Sequence, residues 1–130
     1  MISICKRFKF EAAHQLKYYN GVCKNVHGHS YLLDVEITGP INPALTSSHG
    51  MILDFHTLKA IVCDAVIDKL DHSFLNDSLP KGVYPTAENM VCFIADVLNI
   101  RFSSPYELKR VRLYETADAY AEWTRGGNAS

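Results

Sequence analysis

Three imidazoles and a thiol crowd into the first quarter of this chain. The run Cys23-Lys24-Asn25-Val26-His27-Gly28-His29 sets two histidines two residues apart, and Phe10-Glu11-Ala12-Ala13-His14 brings a third from the preceding strand. Successive side chains on a strand point to opposite faces, so His27 and His29 share a face and can grip one ion. His14 on a neighbouring strand completes a three-nitrogen set, and zinc with three protein ligands typically keeps its fourth position open to water or substrate. The plainer alternative is a group of strand histidines satisfied by hydrogen bonds. Gly28, without a side chain, suits a place where the opposite face is crowded or another backbone approaches closely.

Three further positions could carry chemistry. Cys23 stands four residues before His27, where a nearby cation would lower its pKa and make it a base or nucleophile; as a fourth ligand it would instead close the site. Asp71-His72 follows a helix, and a carboxylate beside an imidazole can orient it for acid–base work. A histidine at a helix C-terminus is also favoured by the macrodipole alone. Glu115 falls in phase with Val111 and Leu113, which drives a carboxylate toward the apolar side of a sheet, so it needs a partner or must sit at a frayed strand end. His49 and His56 lack such a setting and read as surface residues.

The elements that must position these groups follow from periodicity. Ile2, Ile4, Phe8, Phe10, Ala12 and His14 share one parity, interrupted by Lys6, and His27, His29, Tyr31, Leu33, Val35 and Ile37 share one parity on a second strand, opposite Ser30, Asp34 and Glu36. Gly39 to Pro43 ends that strand, and a polar loop that includes Pro43 to His49 runs through Gly50. Asp54 caps a helix striped by Leu58, Ile61, Val62, Ala65, Val66 and Leu70. Asn76 to Tyr84 reads as a loop. Pro85-Thr86-Ala87-Glu88 opens a second helix capped by Thr86, with Met90, Val91, Ile94, Val97 and Leu98 on its stripe. Strands over Arg110–Thr116 and Ala119–Trp123 close the order β-β-α-α-β-β. This predicts an α+β fold, with two helices on one face of a four-stranded antiparallel sheet, as a single domain over 1–124 with a loose tail over 125–130.

Composition narrows the function. The chain has 130 residues, 48% of them hydrophobic, and a formal net charge of -1, which offers no general attraction to nucleic acid or an anionic membrane. No apolar run is long enough to span a bilayer and the N-terminus lacks the order of a signal peptide, so a cytoplasmic protein is expected. Cys5, Cys23, Cys63 and Cys92 form no C-x-x-C pair, against a zinc ribbon or disulfide framework; Cys63 and Cys92 are expected as buried small hydrophobes.

Taken together, several blocks resemble the 6-pyruvoyltetrahydropterin and 6-carboxytetrahydropterin synthase superfamily. They are Phe10-Glu11-Ala12-Ala13-His14, Cys23 through His27-Gly28-His29-Ser30-Tyr31, Gly50-Met51-Ile52-Leu53-Asp54-Phe55, Leu70-Asp71-His72, Leu75-Asn76, Pro85-Thr86-Ala87-Glu88-Asn89 and Tyr114-Glu115-Thr116. The short Cys23-to-His27 spacing, Asp54-Phe55 and Pro85-Thr86 look like the bacterial carboxy-forming branch of queuosine biosynthesis. The resemblance implies the tunnelling fold, in which trimers join their sheets into a barrel and two trimers stack as a hexamer with active sites between subunits. It implies Zn2+ on His14, His27 and His29, with Cys23, Asp71, His72 and Glu115 catalytic. It further implies a pterin triphosphate substrate held by Glu115 with Thr86, Ala87 and Glu88, and a lyase reaction releasing triphosphate and acetaldehyde. The pyruvoyl-forming reaction is the alternative, and a non-catalytic zinc module a more distant one. Lys6, Arg7, Lys9 and Lys24 are the cations on offer to the triphosphate.

Overall fold

The computed structural model describes residues 2–17, 24–41 and 50–126. Alternating apolar residues give two long strands, β1 (Ser3–His14) and β2 (His27–Thr38), paired antiparallel along their full length from Ser3↔Thr38 to His14↔His27. β4 (Glu107–Thr116) pairs antiparallel with β2, and β5 (Ala119–Thr124) with β4. A two-residue strand, β3 (Ser73–Phe74), runs parallel to β1 at Ala12 and Ala13. The sheet therefore has five strands in the order β3-β1-β2-β4-β5, one more than the alternation shows, because two residues are too short a run to leave a periodic signal.

On the helical side, α1 (Phe55–Val62) continues through a π-helical turn (Cys63–Ile67) into α2 (Asp68–Leu70). Asp54 caps α1 as its side chain predicts, accepting from the Thr57 N–H at 2.7 Å. The wider π turn rotates the stripe, so Ile67 is buried beside Val66 while Ile61 stays half-buried. α3 (Leu75–Ser78) is one turn inside the stretch expected to be loop, and α4 (Ala87–Arg101) is capped by Thr86, whose hydroxyl accepts from the Asn89 N–H at 3.2 Å.

One core joins Phe8 and Phe10 of β1, Tyr31, Leu33, Val35 and Ile37 of β2 and Val111 and Leu113 of β4 to Leu58, Val62, Met90, Ile94 and Leu98 of the helices. Complete burial of each such side chain is worth about 1.5–3 kcal/mol. Among the described residues, no helix is long and apolar enough to cross a membrane. Arg125, expected in the tail, is tied back to β4: its N–H donates to the Lys109 carbonyl at 2.9 Å and its Nε to the Leu108 carbonyl at 2.8 Å. Cys92, expected in the core, is exposed, since it falls off the α4 stripe beside Val91; Cys63 is partly exposed.

The helix-free face of the sheet is polar but not loose. Arg7, directly opposite Asp34 in the ladder, donates from Nε at 2.8 Å and Nη2 at 3.0 Å to the two carboxylate oxygens, and this fork buries Asp34 on the side predicted to face solvent. The Arg7 guanidinium lies 5.2 Å from the Tyr114 ring centroid. Arg7→Ala strands a buried carboxylate and is expected to lower stability to urea by about 1–3 kcal/mol. Arg7→Ala/Asp34→Ala should recover part of that loss. A double variant weaker than the single one would contradict this account of the pair.

Candidate metal and substrate site

His14 closes the β1 ladder opposite His27, and His29 follows two residues on with the same parity, so the three rings meet where β1 and β2 run out beneath the helices. Ring centroids are 4.6 Å apart for His14 and His27, 4.8 Å for His27 and His29 and 5.0 Å for His14 and His29. One ligand nitrogen from each ring lies within 4.8 Å of the others.

The hydrogen bonds decide which nitrogens are free. His14 Nδ1 donates to the Pro85 carbonyl at 2.7 Å and His27 Nδ1 donates to the Asn25 carbonyl at 2.7 Å, for a carbonyl can only accept. In the neutral rings both Nε2 atoms are then bare acceptors, and they face each other across 3.0 Å. His29 Nε2 is buried with no hydrogen-bond partner. Two opposed lone pairs and an orphaned third are unfavourable in a metal-free protein and are the donor set that a tetrahedral cation takes, with the outer ring nitrogens already fixed by carbonyls. Burial above all lowers the His29 pKa; Glu115 pulls the other way, and His14 and His27 add to the fall. A depressed pKa keeps that ring neutral and able to ligate.

Glu115 supplies the fourth side of the cluster. Its Oε1 lies 3.7 Å from His14 Nε2 and 3.8 Å from His29 Nε2, beyond hydrogen-bond reach but close enough to act electrostatically. It sits in an irregularity of β4, between Tyr114↔Tyr120 and Thr116↔Ala119, where one residue lacks a partner on β5 and its side chain is re-aimed. That carboxylate also lines a hollow of about 450 Å³ between α4 and β5, shared with Ala87, Glu88, Cys92, Tyr120 and Glu122. Ala87 and Glu88 are thus where a bound molecule would meet them, whereas the Thr86 hydroxyl is occupied in capping α4.

Asp71 and His72 form a built pair of their own. Asp71 Oδ1 accepts from the Glu11 N–H at 2.9 Å, and its Oδ2 lies 3.1 Å from His72 Nδ1. The Glu11 amide, more than His72, holds the Asp71 carboxyl below the usual carboxylate range. His72 has φ +56, a left-handed conformation that costs a non-glycine residue about 1–2 kcal/mol. Its N–H donates to the Glu11 carbonyl at 2.5 Å. His72 borders a hollow lined also by Glu11, Ala13, Gly28, His29 and Ser30. Among the described residues, no hydrogen bond or ion pair joins this pair to the imidazole cluster, although His29 and His72 border the same hollow. Gly28 is not forced by crowding, as a Cβ there would meet only the Ala12 carbonyl at 3.6 Å; its bareness keeps that hollow open.

Cys23, His49 and the segment from Pro43 lie outside the described residues, and His56 is exposed as expected. The two carbonyls that fix the ligand tautomers, from Asn25 and Pro85, left no trace in the sequence, because any residue can offer a backbone acceptor. Loading with one equivalent of Zn2+ should stabilise the protein, by about 4 kcal/mol when free metal is 1,000 times Kd. His29→Ala should abolish that gain in a thermal melt with and without chelator. A variant that still binds one equivalent with the parent's affinity would remove His29 from the ligand set.

A family model described as 6-pyruvoyl tetrahydropterin synthase matches residues 3–126. A 6-carboxy-5,6,7,8-tetrahydropterin synthase of Haemophilus influenzae is 31% identical over 142 residues, covering 95% of this chain and 99% of that protein. A protein of the same name from Synechocystis sp. is 42% identical over 91 residues, 70% of each. The structure of Caenorhabditis elegans 6-pyruvoyl tetrahydropterin synthase superposes with a TM-score of 0.83 at 27% identity, covering 96% of both chains.

Proposed function

The chain belongs to the 6-pyruvoyl tetrahydropterin synthase family, and from that premise we propose that it is a zinc-dependent lyase acting on 7,8-dihydroneopterin triphosphate. The products in this reading are 6-carboxy-5,6,7,8-tetrahydropterin, acetaldehyde and triphosphate, with one water taken up, on the route to queuosine or another deazapurine. The observation that carries it is the meeting of three imidazoles and Glu115 at the edge of a ligand-sized hollow. The names of the Haemophilus and Synechocystis relatives favour the carboxy-forming reaction.

Zn2+ on His14, His27 and His29 would supply Lewis acidity toward the hydroxyls of the substrate side chain. Cys23 as a thiolate takes a proton from the side-chain carbon. Asp71 orients His72 and stabilises its imidazolium while His72 passes protons during rearrangement of the chain. Glu115 accepts two N–H bonds from the amino-pyrimidine edge of the pterin, and Ala87 and Glu88 line the hollow in which that ring lies. Lys9, whose Nζ is 3.7 Å from Glu11, shares a hollow with His29, Ser30 and Glu115 and is the cation we assign to the triphosphate.

The lack, among the described residues, of a hydrogen bond or ion pair from His72 to the imidazole cluster supports completion of each site by a second subunit. Among the described residues, β1 is covered on its outer edge only at Ala12 and Ala13, and the outer edge of β5 carries no strand. Pairing of such edges between copies is the economical way to hide them, and a hexamer of two trimers satisfies both requirements.

Mass spectrometry after incubation of the zinc-loaded protein with 7,8-dihydroneopterin triphosphate should show the carboxytetrahydropterin and acetaldehyde, and Cys23→Ala should yield neither while keeping its metal. A pyruvoyl product would assign the alternative reaction, loss of zinc from Cys23→Ala would make the thiol a fourth ligand, and no turnover would leave a metal-binding module. His72→Ala should lower kcat about 100- to 10,000-fold. If sites lie between subunits, randomly mixed hexamers of Cys23→Ala and His72→Ala should regain about a quarter of parental activity. Mixtures as inactive as the separate variants would put both residues in one chain's site.

A further inference from the structure

We infer that Asn76 is a positioning residue for the three-histidine site, acting through the backbone of Gln15. β1 ends at His14, and Gln15 lies beyond the last rung of the ladder with β2. One side chain takes both of its main-chain groups: the Gln15 N–H donates to Asn76 Oδ1 at 2.8 Å, and the Gln15 carbonyl accepts from Asn76 Nδ2 at 2.9 Å. A carboxamide used in this way stands in for a strand partner, extending the sheet by one residue past its end. The Gln15 nitrogen is the atom that rotation about ψ of His14 would swing. Fixing it fixes the backbone of a metal-ligand candidate whose ring is completely buried.

Asn76 is itself anchored. It follows Leu75, fully buried, in the single turn of α3, directly after β3 has paired with Ala12 and Ala13. Two residues before β3, Asp71 accepts from the Glu11 N–H, and the His72 N–H donates to the Glu11 carbonyl. Residues 71–76 are thus tied to 11–15 at one end by the Asp71-His72 pair and at the other by Asn76. The far side of the ring is held independently, by Nδ1 on the Pro85 carbonyl. With the ring gripped there and the backbone gripped at Gln15, Nε2 has little freedom to leave its place against His27. Removing an outer hydrogen bond that orients a metal ligand weakens metal binding about 10- to 100-fold.

The inference rests on the reading of His14, His27 and His29 as metal ligands, so the parent chain is measured first. Zn2+ affinity is taken by competition with a chromophoric chelator, site geometry from the visible absorption of the Co2+-loaded protein, and integrity of the fold from circular dichroism and thermal melting. Asn76→Leu removes both hydrogen bonds at similar volume; it should weaken Zn2+ binding about tenfold or more and alter the Co2+ spectrum. Asn76→Asp keeps an acceptor for the Gln15 N–H but sets a carboxylate against the Gln15 carbonyl, and should fall between Asn76→Leu and the parent. A lower melting temperature with the parent's Zn2+ affinity and Co2+ spectrum would reduce Asn76 to a structural tie and overturn the inference. Should Asn76→Leu not fold, Asn76→Asp decides alone, parental affinity refuting the role. A parent chain that binds no metal would overturn the ligand reading itself, and this inference with it.

Discussion

The register of β1 against β2 is the constraint on which the rest depends. Twelve rungs from Ser3↔Thr38 to His14↔His27 put His14 beside its partner ligand, and parity carries His29 to the same face. A slip of one residue would turn every side chain of one strand over, sending its histidines to the helix-free side and its core residues into water. Two independent sets of contacts prevent it. Phe10 stacks on Tyr31 directly across the ladder, with centroids 4.9 Å apart, and Phe8 meets Leu33. On the other face Arg7 forks onto Asp34 and Ser30 donates to Glu11 at 2.5 Å, each pair also directly opposed. Hydrophobic and ionic pairings thus index the same alignment.

What register does for the imidazoles, an irregularity does for the carboxylate. β4 stays in phase with the core through Val111 and Leu113, both fully buried, and the next in-phase position is Glu115. Burying a carboxylate in that core would be costly. The unpaired step opposite β5 lets the strand leave the core at that residue, so Glu115 reaches the imidazoles from one side and the hollow beneath α4 from the other. The start of α4 is coupled to the same place. Thr86 caps the helix while the carbonyl one residue earlier, on Pro85, holds His14. The cap that starts the helix and the acceptor that sets a ligand's tautomer are consecutive residues.

Much of this is legible in the sequence because it is written in periodicity. The parity of His14 with Phe8 and Phe10, of His27 and His29 with Tyr31 and Leu33, and of Glu115 with Val111 and Leu113 places each side chain on the helix side. Asp54 and Thr86 announce their helices. Features that depend on contact between distant segments are not written that way. β3 is two residues long, α3 a single turn, and the π turn at Cys63–Ile67 alters a helical stripe only by one position. Asp34 reads as solvent-facing by parity and is buried only because Arg7 stands opposite. Cys92 reads as apolar by residue type and is exposed because the α4 stripe passes it by. The acceptors that orient His14 and His27 are main-chain atoms, to which side-chain patterns are blind.

The same alternation that gathers the imidazoles leaves Asp71-His72 without a hydrogen bond or ion pair to them among the described residues. That pair hangs on the backbone of Glu11, whose side chain points to the helix-free face, whereas His14 points to the helix face three residues later. In the proposed assembly one of these groups comes from another copy, and the sheet offers the means in the outer edges of β1 and β5. A strand pairing between copies is rigid and register-specific, so it can set a neighbour's His72 against this chain's cluster with the same one-residue discrimination that aligns β1 with β2.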